Sequence, residues 1–179
     1  MRILILSLLA LVGAGCGCAS LPEVPSHDAL RETALRLEFA SGVCSGTATG
    51  PQTLQTASHC FQFDKLVSVN GVPVQVVTVS DDKRDHAQVV VTGITFKRWA
   101  VRGEAPKQGD RIQFFGNPKG NKDSYRRGYV SYVDDKVIAM EVMTCLGDSG
   151  AGVLNDAGEL VGMVSAVTVD SCLFGIAFR

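Results

Sequence analysis

The chain has 179 residues, a net charge of −1 and an apolar content of 46%. That length suits one compact domain or two small ones sharing an interface, and the balanced charge gives no overall acidic or basic bias. Six cysteines and three histidines, at positions 27, 59 and 86, lack the spacing of zinc ligands, which argues against a structural zinc site; neither a metal nor a cofactor is expected.

Met1 and Arg2 give a positive start, and Ile3 to Val12 is apolar apart from Ser7. This run falls short of the roughly 20 residues a spanning helix needs. With the small residues Gly13 to Ser20 after it, residues 1–19 read as a secretory signal. Two cleavage readings stand. Small residues before Cys16 resemble a bacterial lipoprotein box, which would lipidate Cys16 and attach the protein to a membrane. Gly17-Cys18-Ala19 instead suits a cut before Ser20 and a soluble product. The first is preferred because it gives an otherwise unpaired cysteine a role. Either places the mature chain outside the cytoplasm, periplasmic or secreted, where disulfides persist.

Residues 20–33 read as a linker. Pro22 and Pro25 oppose a regular helix, Ser26 could cap a short one, and a tether is the preferred reading, with His27 solvated. From Ala34 onward, short runs of Val, Thr, Ile and Phe alternate with Gly, Asn, Asp and Pro, which predicts an all-β fold. Strands are expected near 34–40, 42–49, 53–58, 65–70, 72–80 and 87–92. A second set is expected near 110–116, 124–133, 136–142, 151–154, 159–166 and 172–178. Asn70-Gly71 predicts a hairpin turn in the first set, and Asn155 to Gly158 a turn in the second. The polar stretch 97–109 reads as the connection between two units, 34–100 and 101–179.

Three stretches carry chemistry. Thr56-Ala57-Ser58-His59-Cys60 ends a β-like run, Asp85 stands at the mouth of an apolar strand, and Gly147-Asp148-Ser149-Gly150 forms a glycine-flanked serine turn. Each has a plain structural reading: a hydrogen-bonded core histidine, a turn acid, a loop serine. Together they supply what nucleophilic hydrolysis requires. A serine hydroxyl needs a base to take its proton, an imidazole titrates near neutrality, and a carboxylate fixes its tautomer. The amides of Gly147 and Ser149 would hold the oxyanion. A Cys44–Cys60 bridge would pin the histidine strand, and a Cys145–Cys172 bridge would tie the serine loop to the strand beyond it. Each closed loop would contribute about 3 kcal/mol in the chain-entropy view.

Cys44-Ser45-Gly46-Thr47, Thr56 to Cys60, Asp85-x-Ala87, Gly147 to Gly150 and Val161-Gly162-Met163-Val164-Ser165 resemble the chymotrypsin/trypsin-like serine peptidases. The match covers about residues 34–179. Phe115-Gly116-Asn117-Pro118-x-Gly120 and Gly128-Tyr129-Val130-Ser131 resemble the compact bacterial and viral branch. The resemblance implies two six-stranded antiparallel β-barrels with the active site in the cleft between them. It also implies a serine endopeptidase using His59 as base, Asp85 to orient it and Ser149 as nucleophile on a protein or peptide substrate. No Ile-Val-Gly-Gly precedes Cys44, so a site formed without a freed N-terminus pairing to Asp148 is expected. Ser58 stands where an Ala is usual, and His86 where an apolar residue is usual; His86 is expected on the solvent face.

By the family pattern, Met143, Thr144, Ser165, Ala166, Val167 and Gly175 line the substrate pocket. With Met143 rather than an acid at its base, apolar residues are expected before the scissile bond, not Lys or Arg. Residues 165–167 would pair with the substrate backbone. Lys119, Lys122, Arg126 and Arg127 lack the aromatic interleaving of a nucleic-acid platform and read as a solvated loop. A monomer is expected. Two other readings stand beside the peptidase: an esterase on the same triad, and a catalytically idle binding module.

Overall fold

The computed structural model describes residues 25–62, 64–167 and 175–179. Residues 1–24, which carry the expected signal and Cys16, and residues 168–174, which carry Cys172, lie outside them.

Thirteen strands and one short helix make up the described chain. Helix α1 (His27–Arg31) precedes β1 (Ala34–Phe39), β2 (Gly42–Gly50) and β3 (Thr53–Ala57). Then come β4 (Leu66–Val69), the two-residue β5 (Val72–Pro73), β6 (Gln75–Asp81) and β7 (His86–Thr92). The second set is β8 (Arg111–Gly116), β9 (Ser124–Val133), β10 (Val137–Glu141), β11 (Gly152–Leu154), β12 (Leu160–Val167) and β13 (Gly175–Phe178).

The first set forms a seven-stranded sheet in the order β5-β4-β1-β2-β3-β7-β6, and the second closes into a six-stranded barrel. This matches the expected two-barrel, all-β architecture, with the first unit a seven-stranded half-barrel where a closed six-stranded one was expected; within it the strand expected over 72–80 is interrupted. Proline has no amide hydrogen to extend a ladder. Val72 and Pro73 therefore pair back onto β4, and the chain restarts as β6 against β7.

Alternation along the strands explains both cores. On β1, Leu35, Leu37 and Phe39 face inward and join Leu54, Val89 and Val91 from β3 and β7. In the barrel, Ile112, Phe114, Val130, Ile138, Met140 and Val164 fill the interior. Each fully buried side chain of this size stabilises the fold by about 1.5–3 kcal/mol. The hairpin turn stands at Asn70-Gly71, both with positive φ (54° and 81°), as a two-residue connection to a twisted pair demands.

The linker differs from expectation. Ser26 accepts from the Ala29 amide at 3.2 Å and caps α1. Leu30 then buries beside Phe115, Leu154 and Leu160. His27 is not merely solvated: its ring meets Phe115 at 4.7 Å and Tyr125 at 4.2 Å, edge-on in both cases. Five helical residues are stable here because they dock on the barrel, not through intrinsic propensity.

Candidate active site

The site lies where the two units meet. Strand β3 runs into a 3-10 turn, Ser58–Phe61, that carries His59. Beside it, β7 begins at His86, paired to Ala57. Asp85, one residue earlier, has φ 66°. An aspartate tolerates this left-handed conformation better than most residues, and the bend points its carboxylate back at the β3 terminus.

Four donors converge on that carboxylate. His59 Nδ1 lies 2.8 Å from Oδ2, and the His59 amide donates to Oδ1 at 2.9 Å. Ser58 Oγ donates to Oδ1 at 3.1 Å, and Ser165 Oγ, from β12, donates to Oδ2. Burial works to raise the Asp85 pKa. The bonds to the His59 ring, to Ser165 and to the His59 amide outweigh it, together with the attraction of the imidazole charge, and lower the pKa to about 2. Asp85 is thus ionised and fixes the His59 tautomer with Nδ1 as donor. Ser58 stands where the resemblance expects alanine, so its contribution was not legible from the motif.

Ser149 sits on the turn between β10 and β11. Its carbonyl accepts from the Ser45 amide at 2.8 Å, which ties the serine loop to β2 across the interface. Among the described residues no hydrogen bond joins Ser149 Oγ to the His59 ring, and the amides of Gly147 and Ser149 have no acceptor. Catalytic contacts of this kind are often long without substrate.

Below the loop lies a feature the sequence reading missed. Arg126, assigned there to a solvated loop, is only 9% exposed and forms a bidentate ion pair with Asp148, which is 0% exposed. Nη1 lies 2.6 Å from Oδ2 and Nη2 lies 2.5 Å from Oδ1, while Nη1 also donates to the Met143 carbonyl at 3.1 Å. The guanidinium covers the Phe114 ring at 4.7 Å. Gly116 leaves the space: a Cβ there would come within 2.2 Å of Asp148 Oδ1. One signal was available. Arg126 shares its strand phase with Gly128 and Val130, which face inward on β9.

His86 is likewise a correction. Instead of facing solvent it is 7% exposed, with Nδ1 on Asp82 Oδ2 at 2.7 Å. Asp82 also accepts the amides of Arg84 (2.7 Å) and His86 (3.2 Å), so it serves the turn before Asp85.

The expected pocket residues fall in two groups. Thr144 is buried and adjoins Gly175, where a Cβ would lie 2.7 Å from Thr144 Cγ2, and Met143 is exposed beside them. Val167 pairs with Gly175, and Ala166 with Ile176, across β12 and β13. Ser165, by contrast, turns its hydroxyl to Asp85. Cys44 and Cys60 form a disulfide with an S–S distance of 2.05 Å, bracing the His59 turn against β2. Cys145 is a half-cystine, and Cys172, its expected partner, lies outside the described residues. Among the described residues no three His, Cys, Asp or Glu side chains gather as metal ligands, and no helix is long and apolar enough to cross a membrane.

Residues 40–163 match the family model described as trypsin-like peptidase domain. No curated protein matches the sequence. Among solved structures, an inactive mutant form of Rv3671c from M. tuberculosis superposes with a TM-score of 0.76 at 18% identity, covering 90% of this chain and 87% of that one. The active form of the Rv3671c protease gives 0.74 at 16% identity, over 100% of this chain and 89% of that one. A Glu endopeptidase gives 0.70 at 17% identity, over 83% and 85%.

Proposed function

The chain belongs to the trypsin-like peptidase family and is a serine endopeptidase; from that premise we propose that His59, Asp85 and Ser149 are its catalytic triad. The observation that carries this reading is the 2.8 Å bond between His59 Nδ1 and Asp85 Oδ2; the serine loop is tied to β2 by the 2.8 Å bond from Ser45 N to Ser149 O. His59 Nε2 takes the Ser149 hydroxyl proton as Oγ attacks the peptide carbonyl carbon. Negative charge develops on the carbonyl oxygen, and the amides of Gly147 and Ser149 donate to it. Asp85 stabilises the imidazolium that forms. His59 then gives its proton to the departing amine, leaving an acyl-enzyme on Ser149. Water, deprotonated by His59 in turn, hydrolyses the ester.

The substrate is a protein or peptide. With Met143, Thr144 and Gly175 at the pocket and no acid among them, the side chain before the scissile bond is apolar. Cys145 pairs with Cys172 and tethers the serine loop. The protein is a monomer, exported by its N-terminal signal and anchored by a lipidated Cys16. Fatty-acid labelling lost in Cys16→Ala tests the anchor, and retention of soluble product would favour the cut before Ser20.

The experiment for the activity is turnover of matched peptide and ester substrates by wild type and by His59→Ala. Peptide cleavage lost in the variant supports the endopeptidase. Ester turnover without peptide turnover indicates the esterase, and no turnover of either indicates the binding module.

A further inference from the structure

Between Cys145 and Ser149 every backbone carbonyl has a donor. Cys145 O accepts Asp148 N at 3.0 Å, Leu146 O accepts Lys119 N at 2.6 Å, and Asp148 O accepts Ala151 N at 2.9 Å. Ser149 O accepts Ser45 N at 2.8 Å, and Gly147 O accepts Ser45 Oγ at 2.8 Å. A trans peptide is planar, with its carbonyl and amide pointing opposite ways, so fixing one fixes the other. The Lys119 contact therefore aims the Gly147 amide, and the Ala151 contact aims the Ser149 amide.

Between those two peptides lies a third, Gly147–Asp148, and its plane decides whether the flanking amides converge. Gly147 has φ 97° and no Cβ, so little in the residue itself resists rotation. That peptide is held at both ends: its Asp148 amide donates to Cys145 O at 3.0 Å, and its Gly147 carbonyl accepts at 2.8 Å from a side chain of the other sheet, Ser45 of β2. A hydroxyl has one hydrogen and two lone pairs. Asn117 supplies donors to the lone pairs, its amide at 3.1 Å and its Nδ2 at 2.9 Å. The single hydrogen is thereby directed to Gly147 O. Ser45 is fully buried, so no water competes for it.

We propose that Ser45 is a positioning residue for the oxyanion site, with Asn117 setting the direction of its hydroxyl, so that the site is complete only when β2 is docked against the barrel. This rests on the reading of the Gly147 and Ser149 amides as the oxyanion donors.

The test compares wild type with Ser45→Ala, Asn117→Ala, the double variant and Ser149→Ala. Each is assayed for peptide kcat/KM, inhibition by a peptide boronate with an apolar side chain before boron, and inhibition by the corresponding product peptide capped as a neutral C-terminal carboxamide. Ser45→Ala keeps the amide bond to Ser149 O and loses only the hydroxyl. Its kcat/KM is expected to fall about 10-fold, less than the 10²–10³ lost when an oxyanion donor is removed outright. Boronate binding falls by the same factor, while product binding stays within about twofold, because only the transition state carries the oxyanion. Asn117→Ala causes a smaller loss of the same kind, and the double variant is no worse than Ser45→Ala alone, since both act through one hydroxyl. Should Ser45→Ala fail to fold, Asn117→Ala by itself must still weaken boronate and spare product. Equal weakening of both inhibitors, or of neither, overturns the proposal. If Ser149→Ala is inert while Ser45→Ala matches wild type, Ser45's role alone falls. If Ser149→Ala still cleaves peptide, the triad reading falls and the proposal with it.

Discussion

Arg126 and Asp148 meet end to end inside the second barrel, with paired contacts of 2.6 and 2.5 Å and almost no exposure to water. Asp148 Oδ2 also accepts the Cys145 amide at 2.8 Å. The residue next to the candidate nucleophile is thus anchored by an internal cation.

Removing one partner of such a pair leaves the other buried and unpaired. Arg126→Met is expected to cost about 3–5 kcal/mol of stability and to lower activity by releasing Asp148. Arg126→Lys should restore little, because an ammonium cannot make the two parallel bonds. Thermal unfolding and kcat of the two variants check this, and full rescue by lysine would show that charge alone suffices.

The depressed pKa of Asp85 sets an acid limit on stability. A carboxylate whose folded pKa lies below its unfolded value stabilises the fold above the unfolded value. It loses that contribution as pH falls from 3.8 toward about 2. Ser58→Ala and Ser165→Ala each remove a donor to the ionised form, so the folded pKa rises toward the unfolded one. The expected outcome is a smaller Asp85 contribution at neutral pH, lost over a narrower range nearer 3.8. Acid unfolding of wild type and both variants measures the window.

Opening the Cys44–Cys60 bridge, which closes a 16-residue separation, is expected to cost about 3 kcal/mol through the entropy returned to the unfolded chain. Cys60 adjoins His59, so activity should decline before global unfolding does. Activity and circular dichroism followed together against reductant would reveal the order of loss.

Specificity gives a separate handle. Met143→Asp places a carboxylate where the proposed pocket has none, and cleavage after Lys or Arg is expected to rise at least about 10-fold relative to cleavage after apolar residues. A peptide-library digest of wild type and variant reads this directly. An unchanged profile would move the pocket base away from residue 143.

Much of this was legible in the sequence for definite reasons. Strand positions follow from alternation, as on β1, where Leu35, Leu37 and Phe39 mark the inward face. His59, Asp85 and Ser149 stand out because each sits in a local motif that the chemistry itself requires. What escaped notice depends on contacts between distant segments. Arg126 looked like one cation in a basic run because its partner is on another loop. Ser45 looked like part of a strand motif because its acceptor, Gly147 O, belongs to the other unit. His86 was expected on the solvent face because it stands where an apolar residue is usual, but Asp82, four residues earlier, meets its Nδ1 at 2.7 Å and the ring is buried. Pro73 broke a strand that composition alone made continuous.

The most direct test of the central claim is labelling of the folded, disulfide-intact protein with a fluorophosphonate probe, wild type beside Ser149→Ala and His59→Ala, with the modified residue located by peptide mass analysis. The expected result is a covalent adduct on Ser149 in wild type, absent from Ser149→Ala and strongly slowed in His59→Ala. An adduct on another residue, or none on any, would contradict the assignment of Ser149 as the activated nucleophile.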